Sequence, residues 1–84
     1  MWHFPLINPK QLFDLEHYAE HVLEEIEEYR TAESKVEEAK EVVDVLHAAE
    51  TLVRKYFERN PDVTFEEVRD GIIKKNKDRS YYDY

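Results

Sequence analysis

The stretch that predicts the fold runs from residue 12 to residue 61 and reads LFDLEHYAEHVLEEIEEYRTAESKVEEAKEVVDVLHAAETLVRKYFERNP. Apolar residues recur in its first half at spacings of three and four, which is the period of an amphipathic helix. They are Leu12, Leu15, Ala19, Val22, Leu23, Ile26 and Tyr29. We expect this helix to begin at Asn8-Pro9, since proline suits the first helical turn, and to run to about Ala32.

A second helix is predicted immediately after the first. Ser34 and Glu37 have the spacing of a capping box, in which the two side chains satisfy free backbone amides at a helix start. The helical period then continues to Asn60-Pro61, where proline would interrupt it. Its apolar positions are Val36, Ala39, Val43, Leu46, Val53 and Phe57. Because few residues separate the two helices, they should form an antiparallel helical hairpin.

A shorter third helix is predicted from Thr64 to about Lys77, because Thr64 and Glu67 have the spacing of another capping box. Its apolar positions are Phe65, Val68 and Ile72. The chain has 84 residues, one glycine and three prolines, which together indicate a single all-α domain over residues 1–84. It has no cysteine, which excludes a disulfide framework and a thiolate metal site.

The second helix has another apolar row beside the first, so more than one of its faces should be covered. This row consists of Val42, Val45, Ala49, Leu52 and Tyr56. One hairpin and one short helix cannot easily cover both rows. We therefore expect a homodimer, in which two hairpins complete a four-helix-type bundle.

The charge of the chain is negative and unevenly distributed. The formal net charge is −8, and residues 14–50 contain 13 acidic and 3 basic side chains, whereas residues 51–84 contain 7 acidic and 8 basic ones. This charge disfavours nucleic acid as a stable partner. No apolar run approaches the roughly 20 residues that span a bilayer, and the first residues do not have the pattern of a signal peptide. We expect a cytoplasmic protein without a membrane partner.

Two pairs of acids border the apolar rows. Glu25 and Glu28 lie at the edge of the first helix's apolar face. Glu41 and Asp44 lie on a stripe of the second helix that becomes apolar one or two turns later. In an antiparallel hairpin the two pairs can face each other, and four converging carboxylates require a cation to stay ionised. Ligands that offer only oxygen suit Mg²⁺ or Mn²⁺.

A dense basic cluster follows near the end of the chain, beyond the acidic hairpin. It contains Lys74, Lys75, Asn76, Lys77 and Arg79. If this cluster closes over the acid pairs, metal-binding carboxylates would lie beside basic side chains that bind phosphate. Phosphoryl transfer requires both kinds of group.

An alternative hypothesis explains the same charge pattern without catalysis. Acid pairs with the same spacing also occur at Glu24/Glu27, Glu38/Glu41 and Glu67/Asp70. A glutamate-rich hairpin is then a solvated face, and the chain is an acidic helical interaction module that binds a basic partner.

The order and spacing of these motifs resemble the MazG-like, all-α nucleoside triphosphate pyrophosphatases. Glu25-x-x-Glu28 is followed, after twelve residues, by Glu41-x-x-Asp44. Residues 75–82 read KNKDRSYY, which is similar to the Lys-Asn-x-x-Arg-Gly-Tyr-Tyr ending of small phage and bacterial members. The resemblance covers about residues 17–82, and Ser80 departs from it where the family usually has glycine.

This resemblance implies hydrolysis of a nucleoside triphosphate, often a deoxy or non-standard one, to the monophosphate and pyrophosphate. It implies a dimer or a dimer of dimers. It also implies a Mg²⁺ site, with Mn²⁺ as a substitute, whose ligands are Glu25, Glu28, Glu41 and Asp44. Glu25 is the candidate that also orients the attacking water. The candidate phosphate ligands are Lys75, Asn76 and Arg79.

Several aromatic side chains are further candidates for the substrate. Tyr18 and His21 share the stripe of Glu25 and would stack on or hydrogen-bond a base, with ordinary packing as the alternative. Tyr81, Tyr82 and Tyr84 would cover the nucleotide or fix the tail on a neighbouring subunit, and the sequence does not choose between these roles.

Overall fold

The computed structural model describes residues 2–10 and 12–82, and within them the chain is helical without strands. Its elements are α1 (Leu15–Arg30), α2 (Lys35–Arg59) and α3 (Phe65–Asp78). The predicted all-α class and the order of two long helices and a shorter third one are confirmed. None of the helices in the described part of the chain has both the length and the apolar character needed to cross a bilayer.

The helix α1 begins later than predicted. Its N-cap is Asp14, whose Oδ1 accepts a hydrogen bond from the His17 amide at 2.9 Å. Asn8 instead lies in a turn with φ of 48°, in the left-handed region. The prediction that Asn8-Pro9 begins the helix is therefore wrong. The physical reason is that contacts with α2 fix the path of this segment: the amides of His3, Phe4 and Ile7 donate to α2 side chains, and the Pro9 carbonyl accepts from Lys55 Nζ instead of from an amide of a first helical turn.

The starts of α2 and α3 were predicted correctly from their caps. Ser34 Oγ accepts from the Glu37 amide at 3.1 Å, and Thr64 Oγ1 accepts from the Glu67 amide at 3.2 Å. In a standard capping box the Glu37 carboxylate would accept a hydrogen bond from the amide of the N-cap residue, Ser34. Here it accepts from the amide of the preceding residue, Glu33, at 3.2 Å. Each cap satisfies an amide that the helix itself leaves free.

The hairpin of α1 and α2 is the main packing unit, and residues 31–34 join its two helices. By contrast, α3 is attached mainly through aromatic rings. Phe65 lies edge-on to Phe57, with ring centroids 5.9 Å apart, and edge-on to Trp2, at 5.3 Å. The third helix is thus anchored near the C-terminal end of α2.

The N-terminal strap, residues 2–10, lies along α2. The Glu50 carboxylate accepts hydrogen bonds from the amides of His3 and Phe4 at 2.9 and 3.0 Å, and His3 Nδ1 lies 2.6 Å from it. Further along the strap, the Ile7 amide donates to Thr51 Oγ1 at 3.2 Å. Each bond joins residues more than forty positions apart, so it defines where the strap crosses α2.

Lys55 completes this set of buried polar groups, because its Nζ donates to the Pro9 carbonyl at 3.3 Å. Glu50, Thr51 and Lys55 are only 7, 2 and 2% exposed. Buried polar groups are normally hydrogen-bonded, and here the backbone of the strap provides the partners. The strap also carries Phe4, which stacks on His47 with ring centroids 4.5 Å apart.

Glu50 gives a first testable prediction. Burial alone would raise the pKa of Glu50, but the hydrogen bonds from His3 and Phe4 outweigh this effect and hold the pKa below its ordinary value. Glu50→Gln should weaken these bonds, since an amide presents an NH₂ group to donors that need an acceptor. We expect a lower melting temperature and faster hydrogen exchange of the His3 and Phe4 amides. Glu38→Gln, at an exposed position of α2, should leave both unchanged.

Much apolar surface of the hairpin stays uncovered in the single chain. Among the hydrophobic residues that the structure describes, only Tyr18 and Ala48 are buried. In the first predicted row of α2, Val36, Val43 and Leu46 are exposed. In the second row Val42 and Tyr56 are exposed, whereas Val45, Ala49 and Leu52 are half-buried. An apolar cleft of about 300 Å³ also separates α2 from α3. As expected from the sequence, one chain does not cover both rows.

Candidate metal centre

The hairpin brings three predicted carboxylates together. Glu25 and Glu28 come from α1 and Glu41 from α2, and one oxygen of each lies within 4.8 Å of the other two. Glu25 and Glu41 are at similar distances along the chain from the loop at residues 31–34, so antiparallel packing places them at the same level. Glu28 is on the same face as Glu25 because it follows three residues later.

Two oxygens of this cluster are buried without a partner. Oε2 of Glu25 and Oε2 of Glu41 are inaccessible to solvent and accept no hydrogen bond from the residues that the structure describes. The whole Glu25 side chain is only 14% exposed. Buried carboxylate oxygens are normally paired with donors or with a metal ion. The donor set, three carboxylates with two orphaned oxygens, therefore fits a hard divalent cation.

The electrostatics of the cluster agree with its geometry. Burial raises the pKa of Glu25 above its ordinary value, and the nearby negative charges of Glu28 and Asp44 raise it further. Burial also raises the pKa of Glu41, and the nearby carboxylate of Glu28 raises it further. Three ionised carboxylates at this distance repel one another, so the metal-free protein disfavours their ionised form. A bound cation would favour that form.

Asp44, the fourth predicted ligand, lies at the edge of the cluster. Its side chain is exposed and is not one of the three that meet within 4.8 Å. Its charge nevertheless raises the pKa of both Glu25 and Glu41, which places it close to them. Asp44 also borders a shallow groove with Ala39 and Val43. Its role as a ligand stays a prediction.

His21 and Tyr18 have different surroundings. His21 points to the acids, since its Nε2 lies 3.2 Å from Oε1 of Glu25. Tyr18 is buried, and its ring contacts Phe13 and His17 edge-on while the Arg59 guanidinium lies 5.8 Å from the ring centre. Packing thus accounts for most of the Tyr18 surface, in line with the alternative that the sequence left open.

Both residues also border a cleft of about 170 Å³ between α1 and the strap, where Ile7 and Asn8 form part of the opposite wall. The cleft is next to the carboxylate cluster because His21 lines the cleft and contacts Glu25. The base-binding roles of Tyr18 and His21 remain predictions.

We call residues 74–82, which contain the basic cluster and two tyrosines, the basic tail. The hydrogen bonds at the end of α3 determine its conformation. The Ser80 amide donates to the Lys77 carbonyl and the Tyr81 amide to the Asn76 carbonyl, both at 2.9 Å, which is a Schellman motif. Ser80 has φ of 59°, in the left-handed region that glycine adopts without strain.

The side chains of the tail contact one another. The Arg79 guanidinium lies 6.0 Å from the centre of the Tyr81 ring, and Asn76 Nδ2 donates to the Tyr82 hydroxyl at 3.3 Å. Tyr84, the third predicted tyrosine, lies outside the described residues. Tyr81 and Tyr82 are about half exposed and so leave ring surface for a substrate or a second subunit.

The structure does not join the tail to the acids. Over residues 2–10 and 12–82, no hydrogen bond or ion pair connects Lys75, Asn76 or Arg79 with the carboxylate cluster. One anchor of α3 is Phe57, which is about 24 Å from Glu41 along α2 at 1.5 Å per residue. The expected closure of the basic cluster over the acidic hairpin is therefore not seen within one chain.

Sequence reasoning also missed one contact at the site. The sequence predicts base binding or ordinary packing for His21, and neither role includes its contact with Glu25, although a spacing of four residues is the usual helical spacing of an interacting pair. The sequence spacing alone could have predicted this contact. The structure adds that the Glu25 side chain is mostly buried, so that the contact is made at the carboxylate cluster.

Comparisons with known proteins add no relative to this description. A scan against protein-family models, a search of curated proteins and a search of solved structures each found no match for the chain. The protein is thus characterised by its own features: an all-α fold whose helical hairpin brings together three carboxylates, of which Glu25 and Glu41 are half-buried and Glu28 is exposed.

Proposed function

We propose that this protein is a Mg²⁺-dependent nucleoside triphosphate pyrophosphohydrolase of the MazG-like type, which converts a ribo- or deoxynucleoside triphosphate to its monophosphate and pyrophosphate. The observation that most supports this function is the pair of buried, unpartnered oxygens on Glu25 and Glu41 beside the carboxylate of Glu28. The order of this motif and the basic tail is the second support.

The ion would be held by Glu25, Glu28 and Glu41, with Asp44 at the edge, and Mn²⁺ would substitute for Mg²⁺. When bound, a divalent ion neutralises phosphate charge and makes water a better nucleophile. Glu25 has the additional role of orienting that water. Its carboxylate would accept the proton that water loses when the water oxygen bonds to phosphorus and the phosphoanhydride bond between the α and β phosphates breaks, which releases pyrophosphate.

The remaining proposed roles concern the substrate. Tyr18 and His21 would contact the base in the cleft between α1 and the strap. Lys75, Asn76 and Arg79 would hold phosphate oxygens, because charge-assisted hydrogen bonds to them offset the negative charge that develops during the reaction.

The test of the proposed function is a panel of ribo-, deoxy- and modified nucleoside triphosphates assayed for pyrophosphate release. At least one should release pyrophosphate with Mg²⁺, and EDTA should stop the reaction. Absence of release from every member of the panel would instead favour the acidic interaction module.

The phosphate role of the tail has a test of its own. Arg79→Ala should lower kcat/KM about 30-fold, because a charge-assisted hydrogen bond contributes about 2 kcal/mol. Mg²⁺ affinity should be nearly unchanged, since Arg79 contacts Tyr81 and no carboxylate of the cluster within the described residues. Steady-state kinetics and calorimetric metal titration measure the two effects. Loss of metal binding would show that the tail acts on the metal centre instead.

The proposed assembly is a homodimer or a dimer of dimers. The exposed rows of α2 support it, since a monomer would leave side chains such as Val43 and Leu46 in water. Sedimentation velocity at micromolar concentration should give at least twice the chain mass of 10.2 kDa. A folded monomer under these conditions would contradict the assembly and weaken the proposal that two hairpins complete the bundle.

A further inference from the structure

We propose that His21 is a positioning residue of the metal centre, which holds the Glu25 carboxylate so that its second oxygen faces Glu28 and Glu41. This inference rests on the metal centre of the proposed function, and it gives His21 a task that base binding does not include. It concerns how the site is built, so metal affinity tests it without any substrate.

The contact is specific in its atoms. Nε2 of His21 lies 3.2 Å from Oε1 of Glu25, across one turn of α1. An ionised carboxylate has only acceptors, so it interacts favourably with Nε2 when that nitrogen carries a proton. The other oxygen of Glu25, Oε2, is buried and unpartnered.

Glu25 needs such a partner more than an exposed acid would. Its side chain is 14% exposed, whereas that of His21 is 33% exposed, so the pair lies at the border between the cluster and solvent. Repulsion from Glu28 and Asp44 favours rotation of Glu25 out of the cluster, and His21 opposes this repulsion. Of the three carboxylates, Glu25 alone has a basic side chain in contact among the residues that the structure describes.

Partners of metal-binding carboxylates usually have measurable effects. Their removal typically lowers metal affinity or activity 10- to 100-fold, because the free ligand no longer keeps the orientation that the metal requires. His21 therefore belongs to the site even though its own nitrogen atoms need not touch the ion.

The experiment uses the full chain and Mn²⁺ as the probe, with free Mn²⁺ measured by electron paramagnetic resonance. His21→Ala should weaken Mn²⁺ binding about tenfold or more. His21→Gln should recover most of the affinity, since its side-chain amide can donate to the same oxygen. His17→Ala is the matched control: His17 is one turn earlier on α1 and stacks on Phe13, so Mn²⁺ affinity should not change. Melting curves of the metal-free variants check that each one folds.

Kinetics with a hydrolysed triphosphate add a second readout. His21→Ala should lower kcat at saturating Mg²⁺ more than it raises KM, because a misplaced Glu25 affects water orientation. A residue that only binds the base would raise KM and leave Mn²⁺ affinity unchanged, and this result would overturn the inference.

The outcomes separate this inference from the proposed function. Equal Mn²⁺ affinity of wild type and His21→Ala, or no recovery in a folded His21→Gln, would overturn the positioning role and leave the enzyme proposal standing. A wild type that binds Mn²⁺ and hydrolyses nothing would contradict the enzyme proposal, while the Mn²⁺ comparison still decides the role of His21. A wild type that binds no Mn²⁺ would overturn both.

Discussion

Glu41→Gln should reduce pyrophosphate release about 100-fold or more and remove most of the thermal stabilisation that Mg²⁺ gives the wild type. Glu41 is the one carboxylate that α2 contributes to the group within 4.8 Å, so its loss leaves ligands from α1 alone. The substitution keeps the shape of the side chain and removes its charge. The effect should therefore come from lost metal binding and not from lost packing.

The same substitution should stabilise the metal-free protein. Burial and the neighbouring carboxylates disfavour ionised Glu41, as its raised pKa indicates, and an amide avoids both costs. Higher melting temperature without metal, combined with loss of the Mg²⁺ response, is the expected signature of a metal ligand. Asp44→Asn should act in the same direction but less strongly, since Asp44 is exposed at the edge of the cluster.

Glu38→Gln is the control for both effects. Glu38 belongs to α2 and to one of the competing acid pairs, but its side chain is exposed and is not part of the cluster. Melting curves with and without Mg²⁺ and a pyrophosphate assay make the comparison. Equal behaviour of Glu41→Gln and Glu38→Gln would show that the acids are a solvated face, and the interaction module would then be the better account.

The stability of the metal-free protein should increase as the pH falls from neutral. The pKa values of Glu25 and Glu41 are raised in the folded state above their ordinary value of 4.5. As the pH falls through the raised values, the folded state takes up protons that the unfolded state does not yet bind, so the free energy of unfolding rises. The gain is complete when the pH reaches about the unfolded value.

The lowered pKa of Glu50 should cause the stability to decrease as the pH falls further. Because its pKa is held below 4.5, its contribution to stability is fully present above that pH and is lost as the pH falls through the lower folded value. The two trends occupy different pH windows. Metal-free protein should therefore show a stability maximum on the acid side of neutrality.

Saturating Mg²⁺ should remove the acid-side gain, since the metal binds the ionised carboxylates and competes with protons. Urea unfolding from pH 7 to pH 3, with and without Mg²⁺, measures both curves. Glu41→Gln should reduce the rise in the free energy of unfolding between neutral pH and about 4.5. It should not change the decrease at lower pH that is attributed to Glu50. A metal-free stability that only decreases from neutral pH downward would contradict the raised pKa values of Glu25 and Glu41.

The parts of the fold that the sequence predicted correctly depend on short segments. Ser34 and Thr64 cap α2 and α3 as expected, because a cap involves atoms only three residues apart. The acid pairs were also readable, since the helical period places residues three apart on one face. Burial of the acids could be suspected from the apolar residues that continue their stripe.

The start of α1 could not be predicted in this way. Asn8-Pro9 and Asp14 are both acceptable helix starts by local rules, and the choice depends on the strap. Its bonds to Glu50 and Thr51 join residues 44 to 47 positions apart. No local pattern in residues 2–10 reveals those partners.

The amino-acid sequence by itself thus determined the helical class, two of the three helix starts and the identity of the acids that could meet. Only the tertiary structure decided that Glu25, Glu28 and Glu41 converge while Asp44 stays at the edge, and that His21 contacts Glu25. The physical reason is one of range. Helical period and caps arise from atoms a few residues apart, whereas the burial of a carboxylate oxygen depends on how two helices rotate against each other, which is set by packing along the whole hairpin.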